Sequence, residues 1–121
     1  MTASETCIRQ YIDAYNRKDI DAMMACLTPD VVFRHISNGE ITLEISGSKA
    51  FRKQAEQAAQ LFSERQQTLT SLTGYGDFWE ATITYRGTLA SGPNAGQTIE
   101  LPGQSRFFME NDRITQLTDM N

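Results

Sequence analysis

The spacing of apolar residues changes once along the chain, from a helical period to an alternating one. Near the start, apolar residues recur at i, i+3, i+4 and i+7: Ile8, Tyr11, Ile12 and Tyr15. This spacing places them on one face of an amphipathic helix. Thr2, followed three residues later by Glu5, can form a capping box that begins this helix.

The same spacing predicts two further helices. Asp19 can cap a second, short helix that ends near Pro29, with a face formed by Ile20, Met23, Met24 and Leu27. Gly47 and Ser48 precede a third helix, whose apolar positions follow at steps of four, three and four residues: Phe51, Ala55, Ala58 and Phe62.

Strands are predicted between the second and third helices and throughout the second half of the chain. Residues 31–36 form a strand, and Asn38-Gly39 supplies a tight hairpin turn into residues 41–45. Turn residues occur again at 74–77, 91–97 and 111–112. Between the first two of these turns one face must be buried, and it carries Trp79, Ala81, Ile83 and Tyr85.

These elements predict an α+β fold with three N-terminal helices packed in the concave face of a curved, mainly antiparallel sheet. The chain has 121 residues, of which 40% are hydrophobic. That length and composition fit a single domain over residues 1–121 with a core of its own.

Charge and cysteine content narrow the function classes. Lys and Arg total 11 against 15 Asp and Glu, without a basic run among aromatics, so we expect no nucleic-acid binding. No apolar run approaches the roughly 20 residues that span a bilayer, and no signal peptide is recognisable, so we expect a cytoplasmic protein with no membrane partner. Cys7 and Cys26 lack metal-ligand or redox spacing and are expected to be buried thiols. One histidine with scattered acids predicts no metal site.

Three segments resemble the SnoaL-like branch of the nuclear transport factor 2-like superfamily. They are residues 8–36, which begin I-R-Q-Y-I-D-A-Y, the G-Q-S-R-F-F stretch from residue 103, and R-I-T-Q-L-T-D at 113–119. The resemblance implies a cone-shaped, cystatin-like half barrel with one pocket, lined by the first helix, the first strand and the last two long strands. It implies no single activity, because the scaffold hosts isomerases, dehydratases, cyclases and non-catalytic proteins.

The resemblance also points to individual residues. Against the ketosteroid isomerase pattern, the oxyanion-holding tyrosine falls on Tyr11 and the catalytic aspartate falls on His35. The assisting acid falls on Ser105 or Gln104, and a serine cannot supply the short, strong donor of a neutral carboxylic acid. SnoaL-like cyclases instead carry an acid late in the fold, where this chain has Asp119.

We therefore predict a pocket for an apolar carbonyl compound, with acid–base chemistry of the isomerase, cyclase or dehydratase type and no cofactor. Abstraction of a proton next to a carbonyl needs a base of near-neutral pKa, an enolate donor and apolar walls. His35 or Asp119 is the predicted base and Tyr11 the donor. The predicted substrate-binding residues are Tyr15, Phe33, Trp79, Ile83, Tyr85, Ser105, Phe107 and Leu117.

Plainer interpretations of the same residues lead to a second hypothesis. His35 can be an ordinary strand residue, Tyr11 can belong to the core, and Asp119, close to the end of the sequence, can be solvated. A slip of one residue in strand register would also turn Asp119 outward. The second hypothesis is a non-catalytic ligand-binding or protein-association module. Converging, buried His35 and Asp119 favour catalysis, whereas an all-apolar cavity favours binding.

A homodimer is predicted to form through the convex face of the sheet, on the side opposite the helices. Its mixed polar character suits pairing of two copies, and it carries Thr82, Thr84, Arg86 and Phe108.

Overall fold

A computed structural model describes residues 1–121 as three helices and one six-stranded sheet. The helices are α1 (Ala3–Arg17), α2 (Ile20–Ala25) and α3 (Ser48–Leu61). The strands are β1 (Leu27–Ser37), β2 (Glu40–Ser46), β3 (Phe62–Gly74), β4 (Phe78–Leu89), β5 (Thr98–Glu110) and β6 (Arg113–Met120). The strand order is β2-β1-β6-β5-β4-β3, and only the β1–β6 pair is parallel. The predicted α+β class and the open, curved, mainly antiparallel sheet are confirmed.

Both ends of α1 form through contacts that the sequence supplies. Thr2 Oγ1 accepts a hydrogen bond of 3.1 Å from the Glu5 backbone N–H, as predicted for the N-cap. The second half of the predicted capping box is missing, because the Glu5 carboxylate accepts from Arg9 Nε at 3.1 Å instead. The helix ends at Lys18, which adopts φ 56° in the left-handed region.

The predicted end of α2 is corrected. The helix is capped by Asp19 as expected but stops at Ala25, so Pro29 lies inside β1 and not at a helix end. Leu27 already pairs with Ile114 of β6, and the pairing then shifts register before it resumes further along β1. Pro29 falls in this irregular stretch, where its missing N–H costs no ladder hydrogen bond.

The predicted end of α3 is also corrected. Phe62 has extended backbone angles, φ −123° and ψ 134°, and begins β3 instead of completing the helical face. Its ring lies directly over Gly87 of β4, where a Cβ atom would approach the ring to 2.6 Å. Packing against a strand therefore overrides the helical spacing at this position.

The predicted hairpin turns lie where the sequence places them. Asn38 and Gly39 have φ angles of 53° and 80°, and Asn111 and Asp112 have φ angles of 51° and 61°. Positive φ at both central residues matches the right-handed twist of the flanking strands.

On the concave face, residues that are paired in register across neighbouring strands form rows, and each row crosses four strands. One row contains four large apolar side chains that are paired in register from β1 to β4: Phe33, Leu117, Phe107 and Trp79. We call it the apolar row. The next row runs through the residues two positions further along each strand pair: His35, Asp119, Ser105 and Ala81. We call it the polar row.

The helices cover the apolar row. Tyr11 of α1 meets Phe107 edge to face at 6.2 Å between ring centroids, and Phe51 of α3 meets Phe33 in the same way at 5.9 Å. Phe107 and Leu117 are buried in the core. Cys7 and Cys26 are also buried and unbonded to each other, as predicted. No helix has both the length and the apolar character needed to cross a bilayer.

Candidate functional site

A cavity of about 250 Å³ opens beside the polar row, next to the last turn of α1. Its wall comes from α1 and from every strand except β2. Half of the lining residues are hydrophobic, and the complete set is Tyr15, His35, Phe62, Arg65, Tyr85, Arg86, Gly87, Ile99, Leu101, Asp119, Met120 and Asn121. The structure therefore brings His35 and Asp119 to one cavity whose walls are otherwise partly apolar.

Asp119 and His35 lie side by side on parallel strands. They are directly paired in the β1–β6 register, so both side chains point from the concave face. Leu117, two residues before Asp119, is buried on the same face, which is the register that the sequence required for Asp119 to face inward. The two side chains make no hydrogen bond or ion pair with each other.

A chain of hydrogen bonds holds the Asp119 carboxylate. Ser105 Oγ donates to Asp119 Oδ1 at 2.7 Å, and the Tyr85 hydroxyl lies 3.1 Å from Ser105 Oγ. Because an ionised carboxylate only accepts and serine has one hydroxyl proton, Tyr85 donates to Ser105 and Ser105 donates to Asp119.

Gly103, which has no side chain, leaves room for the Tyr85 ring. Tyr85 lies on β4 two levels away from Ser105, with Ile83 and Gly103 paired at the level between them, so its ring must lean over β5 to reach that serine. A Cβ atom at position 103 would approach Tyr85 Cε2 to 2.7 Å. The absent side chain therefore leaves the space that the ring occupies.

The surroundings of Asp119 raise its pKa from the ordinary 3.8 to about 6. Burial is the main cause, because it disfavours the charged carboxylate. The hydrogen bond from Ser105, the charge of His35 and the Tyr85 hydroxyl each oppose this effect. The side chain is surrounded by protein atoms yet keeps partial contact with the cavity, so its proton can be exchanged there.

His35 is held by the neighbouring strand β2. Its Nδ1 lies 2.7 Å from Thr42 Oγ1, and the same Thr42 hydroxyl donates to the His35 carbonyl at 3.2 Å. This arrangement assigns the Nδ1 proton as donor to Thr42, and Nε2 has no hydrogen-bond partner in the protein.

The two tyrosines of α1 have different positions. Tyr15 lines the cavity, whereas Tyr11 packs against Phe107 and is not among the lining residues. The Tyr11 hydroxyl has no hydrogen-bond partner, and it is not fully enclosed, since the only enclosed side-chain nitrogen or oxygen without a partner belongs to Arg65. Burial raises the pKa of Tyr11 well above its ordinary value, and the charge of Asp119 adds to the increase.

The remaining predicted substrate-binding residues lie mostly outside the cavity wall. Tyr85 lines it, and Ser105 lies behind Asp119 as its hydrogen-bond donor. The others are the four residues of the apolar row together with Ile83, which belongs to the core: Phe33, Trp79, Ile83, Phe107 and Leu117. Their large side chains are used for packing under the helices.

Arg65 of β3 is a cavity residue that the sequence interpretation did not single out. It is only 8% exposed, its Nε donates to the Tyr15 carbonyl at 3.1 Å, and its Cζ lies 3.8 Å from the centroid of the Tyr15 ring. An arginine in a strand ordinarily indicates a solvent-facing position. The one available signal was its place in the strand alternation, because Arg65, Gln67 and Leu69 alternate with exposed neighbours.

No three His, Cys, Asp or Glu side chains converge anywhere in the structure, so no set of metal ligands can be named. Nor does the cavity contain a second carboxylate beside Asp119. The arrangement offers a carboxyl group of raised pKa beside a partly apolar space, which suits the transfer of a proton.

Several solved structures share this fold over nearly the whole chain. A candidate polyketide cyclase from Xanthomonas campestris pv. campestris is 26% identical with a TM-score of 0.84, covering 98% of this chain and 90% of its own. A candidate polyketide cyclase from Pseudomonas putida KT2440 is 28% identical with a TM-score of 0.75 and the same two coverages. TerC, co-crystallised with polyporic acid, is 16% identical with a TM-score of 0.80 and also covers 98% of this chain and 90% of its own. No curated protein shows significant similarity to the sequence.

A sequence model of the SnoaL-like domain matches residues 8–117, which are most of the chain. The match includes β1 and all of the apolar row, and it stops two residues before Asp119. Together with the shared fold, it shows that this chain belongs to the SnoaL-like family.

Proposed function

We propose that the cavity catalyses proton transfer on an apolar carbonyl compound, with Asp119 as the group that removes and returns the proton. The observation that carries this proposal is the buried carboxylate beside a cavity, with its pKa raised to about 6. A pKa near neutrality lets one group act as base and, after accepting the proton, as acid. Reactions of this type include isomerisation, cyclisation and dehydration, and they need no cofactor.

The neighbouring residues have distinct proposed roles. Ser105 and Tyr85 orient the carboxylate by the hydrogen-bond chain, so that one Asp119 oxygen remains directed at the substrate. His35 lies next to Asp119, and its charge favours the ionised form of the carboxylate. Tyr11 does not line the cavity, but its hydroxyl has no protein partner and is close enough to Asp119 for that charge to raise its pKa, so it is proposed as the donor to an enolate oxygen held beside Asp119.

Exchange of carbon-bound hydrogen tests this proposal without the natural substrate. β-Tetralone is a small apolar ketone with acidic protons next to its carbonyl. We expect the wild type to accelerate deuterium incorporation at these positions in heavy water, followed by NMR. Asp119→Asn should lower the protein-catalysed rate by about 100-fold or more, the usual contribution of a positioned base.

One control variant and one comparison variant make the result specific. Arg52→Gln removes a charge from a surface ion pair with Asp21 and should leave the exchange rate unchanged. His35→Gln should lower the rate less than Asp119→Asn does. Equal exchange in the wild type and Asp119→Asn, with both folded, would contradict the role of Asp119.

A non-catalytic binding role is the alternative for the same cavity. Phe62, Ile99 and Leu101 form an apolar wall at its open side, and Leu101 is 48% exposed there. This surface suits retention of an apolar molecule without chemistry. Binding of β-tetralone with no exchange above the buffer rate would favour this alternative.

We also propose that two copies pair through the convex face of the sheet. Thr82 and Arg86 are exposed there, and Phe108 lies beside Phe78 with 5.3 Å between ring centroids. Aromatic side chains within a mixed polar face are typical of homodimer contacts. Light scattering at micromolar concentration should give the mass of a dimer, and a monomer would overturn this part of the proposal.

A further inference from the structure

The guanidinium of Arg65 is a buried charge with unused hydrogen-bond donors. Its Nη2 is the only enclosed side-chain nitrogen or oxygen atom without a hydrogen-bond partner. Within 3.5 Å the side chain makes one hydrogen bond, from Nε to the Tyr15 carbonyl, and Nη1, unlike Nη2, is not enclosed. None of the ion pairs in the structure includes Arg65.

The contacts that Arg65 does make explain its position but not its free end. The bond from Nε to Tyr15 satisfies a carbonyl in the last turn of α1, where cations are favourable. Stacking on the Tyr15 ring fixes the plane of the guanidinium. The two terminal nitrogens are therefore held in place without an acceptor.

A buried guanidinium ordinarily has an anionic partner, because removing its donors from water is costly. Asp119 does not fill this role, since the two side chains form no ion pair and the pKa of Asp119 is raised and not lowered. Burial also lowers the pKa of Arg65, in keeping with a charge that lacks a carboxylate beside it. Nη1 is thus the donor that another molecule can reach from the cavity, and the enclosed Nη2 can join it only when the surrounding side chains move.

The space around Arg65 is connected and cationic. Arg65 lines both the inner cavity and an outer groove of about 590 Å³ that has no hydrophobic lining residue. The same groove contains Lys18 and Arg86, neither of which forms an ion pair, and a single acid, Glu64. Positive charge gathers here although the whole chain has a net charge of −4.

We propose that Arg65 binds a carboxylate of the ligand, so that the cavity accepts a carbonyl compound which also carries a carboxylic acid group. The apolar body of such a ligand lies against Phe62, Ile99 and Leu101, and its reactive carbonyl lies toward Asp119. This inference rests on the proposed function for the cavity that it uses, and it adds the chemical class of the substrate.

Cinnamate and its neutral methyl ester test this inference as a matched pair. Both present the same apolar body, and only the acid offers an anionic pair of oxygens. Titration calorimetry at about pH 7.5 should show that the wild type binds cinnamate at least about tenfold more tightly than the ester, because hydrogen bonds to a charged group are strong.

Variants of Arg65 test whether this residue causes the preference for cinnamate over its ester. Arg65→Gln should remove it, and Arg65→Lys should retain part of it, since lysine keeps the charge but loses the planar pair of donors. Arg52→Gln makes the same change in net charge at a surface ion pair and should preserve the preference. A full preference in Arg65→Gln overturns the assignment.

The affinities of the wild type for cinnamate and for its ester test the inference even if Arg65→Gln fails to fold. Equal affinity for acid and ester, or no binding of either at millimolar concentration, overturns the inference. Asp119→Asn separates it from the proposed function, because this variant should still prefer cinnamate, and more strongly once a neighbouring negative charge is removed. Loss of the preference in Asp119→Asn would therefore count against Arg65, whereas unchanged proton exchange in that variant would count only against the catalytic role.

Discussion

The apolar row and the polar row differ although the same four strands form them. They are separated by two positions along each strand, so alternation turns both toward the concave face. Phe33 and Phe107 of the apolar row are covered by aromatic rings from the helices. The polar row lies where α1 approaches its end, and His35 and Asp119 there face a cavity.

Cover by helices and neighbouring side chains decides which inward-facing residues become core and which become a site, since Ser105 and Ala81 of the polar row are buried whereas His35 and Asp119 reach the cavity. A strand pattern identifies the face of a residue, but it contains no information about the length of the helix above it. Tyr11 and Tyr15 illustrate this on α1 itself, since they are one turn apart and only Tyr15 lines the cavity. The following substitutions should separate the two rows by their effects.

The largest effect is expected in the apolar row. Phe107→Ala removes a buried ring that is packed under Tyr11 and should lower the free energy of unfolding by about 3–5 kcal/mol. Phe108→Ala, next along the strand on the opposite face, should cost less. Urea denaturation measures both, and equal losses would contradict the assignment of the core side.

A pH-dependent effect should belong to the polar row alone. The pKa of Asp119 is raised from 3.8 to about 6, so the folded chain binds its proton more tightly than the unfolded chain does. Stability from this group is then complete below the unfolded value and is lost as the pH rises through about 4 to 6.

Asp119→Asn should remove that dependence. Between about pH 4 and pH 7.5, the wild type should lose at most about 3 kcal/mol of unfolding free energy relative to the variant. Denaturation curves for both proteins at each pH give the difference. A difference that stays constant, or that grows in the other direction, would rule out a raised pKa.

The sequence predicted the elements and the facing of the strands, and it failed where contacts between elements decide. The alternation around Ile83 and the inward position of Leu117 follow from period two, which any buried strand face imposes. Phe62 was assigned to α3 because its spacing fits a helix, and only its ring over Gly87 places it in β3. The spacing of nearby residues in the sequence contains no information about a contact with a distant strand.

The candidate site was predictable to a lesser extent. His35 and Asp119 emerged from the resemblance and from alternation, and the cavity does contain both. Arg65 was not identified, because alternation gives only the face of a strand residue and its burial depends on the Tyr15 ring and carbonyl, fifty residues away in sequence. The large apolar side chains were assigned to the pocket because size alone does not distinguish a wall from a core.

Gly103→Ala tests how the polar row is built. The added methyl group would meet the Tyr85 ring, and its displacement should cost about 1–3 kcal/mol and break the hydrogen bond to Ser105. Tyr85→Phe removes the same hydrogen bond without a clash and should cost about 1 kcal/mol. Thermal or urea unfolding of the two variants compares them, and equal costs would show that Gly103 has no steric role.

The smallest effect on stability is expected from Ser105→Ala, at about 1 kcal/mol. Its main consequence is electrostatic, because the Ser105 hydrogen bond lowers the pKa of Asp119 and its loss should raise that pKa further. Ser71→Ala, an exposed position on β3, is the control. An unchanged Asp119 titration in Ser105→Ala would show that the hydrogen-bond chain has no influence on the carboxylate.

Whether Asp119 accepts and returns a proton near neutral pH can be measured by carboxyl-carbon NMR of aspartate-labelled protein. The signal that is missing in Asp119→Asn identifies the residue, and its chemical shift is followed from about pH 3 to pH 8. We expect a midpoint of about 6 for this carboxyl group. A midpoint near the ordinary 3.8 would contradict the proposed role of Asp119, because the carboxylate would then be too weak a base for the proposed reaction.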